Sequence, residues 1–99
     1  MADPLDILMP GGQPLGVPTK RSDVREINGS TLAEAKVLFD KLTVAGTAIA
    51  APRYAGTMIR LPTGGTIGLR TIAGRSPRTL ATIDIDIPGC PIRKVKFNP

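Results

Sequence analysis

At 99 residues the chain has room for one domain with one modest core. It contains no histidine and a single cysteine, Cys90, which excludes histidine acid–base catalysis, histidine-ligated metal sites and an internal disulfide framework. The net charge of +5 is unevenly placed: residues 1–45 carry a net −1, whereas residues 46–99 carry eight basic side chains against two acids, a net +6 that marks a surface for polyanions.

In chain order, residues 1–22 hold Pro4, Pro10, Gly11, Gly12, Pro14 and Pro18 and read as a Pro/Gly-rich arm or linker; Asp6–Met9 and Leu15–Val17 also fit a short edge hairpin. Residues 23–99 form the expected functional domain. Its helix starts at the capping box Thr31-Leu-Ala-Glu34 and carries an apolar stripe of Leu32, Ala35, Leu38, Phe39 and Leu42, with Gly46 as a stop signal. Beyond Gly46 the period changes to two. Strands are expected at 48–50, 58–61, 67–72, 79–87 and 93–97, with Pro62-Thr-Gly-Gly65 as a hairpin turn. One helix followed by strands predicts an α+β fold, in which the N-terminal helix packs on one face of a twisted antiparallel β-sheet of four to five strands.

Matching apolar with apolar sets the expected registers: Leu61 with Ile67 and Ile59 with Leu69 in the first hairpin, Ile83 with Phe97 and Ile85 with Val95 in the last. The helix then covers Ile59, Leu61, Ile67, Leu69, Ile83, Ile85, Val95 and Phe97. The opposite face presents Arg60, Arg70, Thr82, Asp84, Asp86, Lys94 and Lys96. Arginine and lysine there suit phosphates, and the loop 73–79 adds Arg75, Ser76 and Arg78. Arg53 and Tyr54 precede the first hairpin, where the ring could stack on a base. The same residues admit a plainer reading: Asp84–Lys96 and Asp86–Lys94 as cross-strand ion pairs, and Arg75, Ser76 and Arg78 as a solvated loop. RNA cleavage needs neither histidine nor metal, because the 2′-hydroxyl is an internal nucleophile and cations can stabilise the charge that develops on the phosphate.

The runs Gly56–Arg70 and Ser76–Pro88, with the ending Ile92-Arg-Lys-Val-Lys-Phe97, resemble the C-terminal toxin modules of bacterial polymorphic toxins, which cap contact-dependent inhibition and Rhs-repeat proteins. Many such modules share the barnase–EndoU–colicin–RelE type of fold. The resemblance implies a metal-independent endoribonuclease, with tRNA as the favoured substrate and no cofactor. It implies catalytic candidates Arg70, Ser76, Thr82, Asp84 and Lys94; Arg53, Tyr54, Arg60, Arg75, Arg78 and Lys96 are the expected RNA contacts. It further implies a cognate immunity protein, acidic at its contact surface, and export as part of a larger protein that acts in a target-cell cytoplasm without stable membrane association of this domain. The absence of histidine departs from the barnase and EndoU pattern. The competing readings are a non-catalytic nucleic-acid-binding module with a basic sheet face, and an adaptor that meets an acidic protein.

Overall fold

The computed structural model describes residues 3–71 and 78–99. The fold is α+β, with a seven-stranded mixed sheet in the order β1-β2-β7-β6-β5-β4-β3. The strands are β1 (Val17–Pro18), β2 (Val24–Ile27), β3 (Thr47–Ile49), β4 (Thr57–Arg60), β5 (Thr66–Arg70), β6 (Ala81–Asp86) and β7 (Lys94–Phe97). Neighbours are antiparallel except β2 and β7, which run parallel. The expected antiparallel sheet of four to five strands is thus corrected to a larger, mixed one. The added strands, β1 and β2, lie in sequence without clean alternation: in Val24-Arg-Glu-Ile27 the charged Arg25 occupies the helix-facing side and Val24 the other.

Arg25 faces inward because it holds the N-terminal segment. Its Nε donates to the Leu15 carbonyl and its Nη2 to the Gly16 carbonyl, each at 2.9 Å. Gly16 has φ of 75° and lies against the Glu26 carbonyl, so a side chain there would meet both strain and backbone. Further upstream, α1 (Pro4–Leu8) is capped by Asp3, whose carboxylate accepts from the Leu5 amide, and opens on proline at the first helical position. A short 3-10 turn at Pro10–Gly12 follows. Leu8 is fully buried in the same core as the sheet, so the stretch read as an arm or linker is built into the domain.

α2 (Leu32–Leu42) begins where the Thr31 hydroxyl accepts from the Glu34 amide. It leaves β2 near one edge of the sheet and delivers the chain to β3 at the other. That path crosses five strand spacings, about 24 Å, while the helix itself spans about 16 Å; the connection must run across the sheet, and the helix therefore covers it. Ala35, Phe39 and Leu42 bury against Ile67, Ile83, Ile85, Val95 and Phe97, while Leu32 and Val37 remain at the surface.

Both hairpin registers differ from expectation by two residues. Ile59 pairs with Ile67, and Ile83 pairs with Val95. An even shift preserves the faces, so the apolar set expected under the helix is the set found there. The cause lies in the turns. Gly64 and Gly65 both adopt positive φ, and the Leu61 amide bonds back to the Gly65 carbonyl. Between β6 and β7, Cys90 and Ile92 sink into the core, which takes them out of strand pairing. The Ile85 amide consequently meets the Arg93 carbonyl.

Candidate nucleic-acid interface

The sheet face opposite α2 is centred on β6, the middle strand of seven. Alternation places Asp84 there, opposite Gly68 on β5 and Lys94 on β7. Arg70 reaches Asp84 from β5 with a two-pronged contact, Nε to Oδ2 at 2.6 Å and Nη2 to Oδ1 at 3.2 Å. Lys94 Nζ stands 3.9 Å from Oδ1. The Tyr54 hydroxyl donates to Oδ2 at 2.6 Å. An ionised carboxylate offers about four acceptor positions; three hydrogen bonds occupy most of those of Asp84, and the lysine adds an ion pair without a hydrogen bond. Two cations around one anion leave this centre with a local surplus of positive charge.

Tyr54 arrives from the loop before β4, held by a turn in which its amide bonds the Ala51 carbonyl and its own carbonyl accepts from Gly56. The hydroxyl end of its ring lies against Gly68. A β-carbon at Gly68 would collide with the Tyr54 hydroxyl and ring carbons. A glycine inside an otherwise alternating strand is the sequence signal for such an approach. Partial burial, reinforced by the hydrogen bond to the Asp84 carboxylate, pushes the phenol well above its ordinary value of 10.0. The hydrogen bond to Asp84 also holds the Arg70 guanidinium above its usual value. Tyr54 therefore keeps its proton across the physiological range and donates it in a hydrogen bond to Asp84.

The expected ion pairs are re-partnered. Asp84 pairs with Arg70 and Lys94 instead of Lys96, and Asp86 pairs with Arg93 at 3.0 Å instead of Lys94. The two-residue register change accounts for both. Thr82 is on this face between Arg70 and Lys96 but only 6% exposed, which leaves its hydroxyl little access to a ligand. Arg60 is exposed at the β4 end of the face, aligned with Thr66 and, through it, with Asp86. Arg53 and Arg78 are exposed in loops, and Lys96 lies on β7 beside Glu26. Arg75 and Ser76 lie outside the described residues. The structure thus brings Tyr54, Arg70, Asp84 and Lys94 together; the expected base-stacking role of Tyr54, apart from the other three, gives way to a direct contact with Asp84.

Among the described residues no three or more acidic, histidine or cysteine side chains gather as a metal site, and no helix is long and apolar enough to cross a membrane. No family model, curated protein or solved structure matches this chain.

Proposed function

We propose that the chain is an endoribonuclease that cleaves RNA, with tRNA the favoured substrate, through its own 2′-hydroxyl. The observation that carries this reading is the convergence of Tyr54, Arg70 and Lys94 on Asp84 in the middle of an open, basic sheet face. Arg70 uses two of its five N–H donors on Asp84. With Lys94 it stabilises the extra negative charge as the 2′-oxygen bonds to phosphorus. The bond from phosphorus to the 5′-oxygen breaks, and the Tyr54 hydroxyl turns from Asp84 to give that oxygen its proton, while Asp84 keeps its bonds to Arg70. The 2′-hydroxyl proton leaves through a phosphoryl oxygen to water, and water restores the phenol. The products are a 2′,3′-cyclic phosphate and a 5′-hydroxyl. Asp84, which accepts three hydrogen bonds from Tyr54 and Arg70, holds both in place and is a positioning residue. DNA lacks the internal nucleophile and is not a substrate.

The toxin setting, with export in a larger protein, action in a target-cell cytoplasm and an immunity protein that covers the basic face with acidic side chains, is supported by the resemblance of residues 23–99 and by the +6 charge of residues 46–99. One observation favours a second reading: the one carboxylate of the cluster, Asp84, is already engaged by Arg70 and Tyr54, which suits a structural anchor better than a general base, as in a non-catalytic nucleic-acid-binding module. Incubating the purified chain with total tRNA in EDTA separates the two. Discrete fragments ending in cyclic phosphate are expected; intact tRNA that is nonetheless bound would establish the binding module.

A further inference from the structure

The N-terminal segment brings its own cations to the same face. A groove of about 320 Å³ opens between residues 19–21 and strands β2 and β7. Lys20, Arg21, Lys94 and Lys96 line it, Val24 forms part of its floor, and Glu26 is its one acid. Glu26 accepts from the Asn98 amide at 2.9 Å; Arg21 leans on Asp23 at 3.3 Å and Lys94 stands 3.9 Å from Asp84, both acids outside the groove lining, so the lining itself carries four cations and one acid. Thr19 fixes the segment: its hydroxyl accepts from the Arg21 amide and lies 3.0 Å from the Val24 carbonyl. The groove is continuous with the central cluster because Lys94 belongs to both: it lines the groove and stands 3.9 Å from Asp84.

We propose that this groove is a second phosphate subsite, holding the backbone of single-stranded RNA that runs across β7 into the Tyr54–Arg70 centre. The inference rests on the ribonuclease reading of that centre and extends its substrate to a single strand longer than one linkage. From β5, which carries Arg70, to β2 is three strand spacings, about 14 Å. A dinucleotide at the centre does not span that distance, whereas a longer strand does. Binding here is electrostatic and free of base readout, because the groove offers charge and an aliphatic floor but no aromatic ring.

The test is a Lys20→Ala/Arg21→Ala double variant of the whole chain. Binding of a ten-nucleotide single-stranded oligoribonucleotide is measured by fluorescence anisotropy over a series of salt concentrations, beside cleavage of a dinucleotide. Removing two phosphate contacts should lower the slope of log affinity against log salt by about 1.4, while dinucleotide cleavage and the melting temperature stay at wild-type values. An unchanged slope would overturn the subsite and leave the central site standing. Failure of the wild-type chain to bind or cut either RNA would overturn the reading it rests on. Wild-type RNA slopes together with a lost acidic protein partner would assign the groove to protein recognition instead.

Discussion

Arg70 is only a quarter exposed and shares Asp84 with Tyr54, so it is a part of the structure as well as of the site. A freely solvated arginine on an open sheet face would be removed at almost no cost. Here Arg70→Ala breaks two hydrogen bonds to a carboxylate and should cost on the order of 1–2 kcal/mol, read as a fall of several degrees in melting temperature. Cleavage should fall by about 100-fold or more. Arg70→Lys keeps the charge but not the fork, and should recover most of the stability with little of the rate. A melting temperature unchanged in Arg70→Ala would show that the contact with Asp84 does not persist in solution. Tyr54 gives a pH test, since it is the one tyrosine in a chain without tryptophan. Its folded value lies above the unfolded one near 10. Above about pH 10 the unfolded chain gives up the phenolic proton first, the native state holds more protons, and stability falls as pH rises. That contribution is complete below pH 10. Phenolate absorbance of the native chain should stay low at about pH 11, one unit above the ordinary phenol; half-formed phenolate near pH 10 would place Tyr54 in open solvent.

At the scale of elements, β5 and the loop before β4 meet at Gly68. Its φ is not positive, so alanine fits the backbone there; what it does not fit is the Tyr54 ring. Gly68→Ala should drive the ring off Asp84, return the phenol to titration near pH 10, and lower cleavage as far as loss of the tyrosine hydroxyl does. A raised titration and full activity in Gly68→Ala would mean that the ring does not depend on this gap. How much of this was legible in sequence varied by element. α2 was plain from its threonine cap and its apolar stripe, and Ile83, Ile85, Val95 and Phe97 announced their face by alternation. Arg70 and Asp84 fell on the polar face by the same rule. β2 was hidden because Arg25 turns inward to the carbonyls of Leu15 and Gly16, which breaks the alternation. The pairing of Asp84 with Lys94 was missed because Cys90 and Ile92 bury in the turn, a tertiary effect that apolar matching across a hairpin does not capture. The Tyr54 contact bridges a loop and a central strand thirty positions apart, and the only local hint was a glycine in β5.

For the whole molecule, the topology divides the work between two faces. One chain crossing, through α2, seals the apolar side. Among the described residues no helix covers the other side, where Lys94 and Lys96 are joined by Lys20 and Arg21 from the N-terminal segment. That segment, fixed by Leu8 in the core and by the Arg25 clamp, therefore adds to both the fold and the basic surface. The account stands or falls on whether the middle of that surface performs chemistry. The most direct measurement compares wild type with Tyr54→Phe in a tRNA cleavage assay in EDTA, paired with thermal melts. The substitution keeps the ring against Gly68 and removes only the donor. It should cost about 1–3 kcal/mol through the lost bond to Asp84, leaving a folded chain, and slow cleavage by about 100-fold or more. Cleavage at the wild-type rate by a folded Tyr54→Phe chain, or no cleavage by the wild type itself, would contradict it.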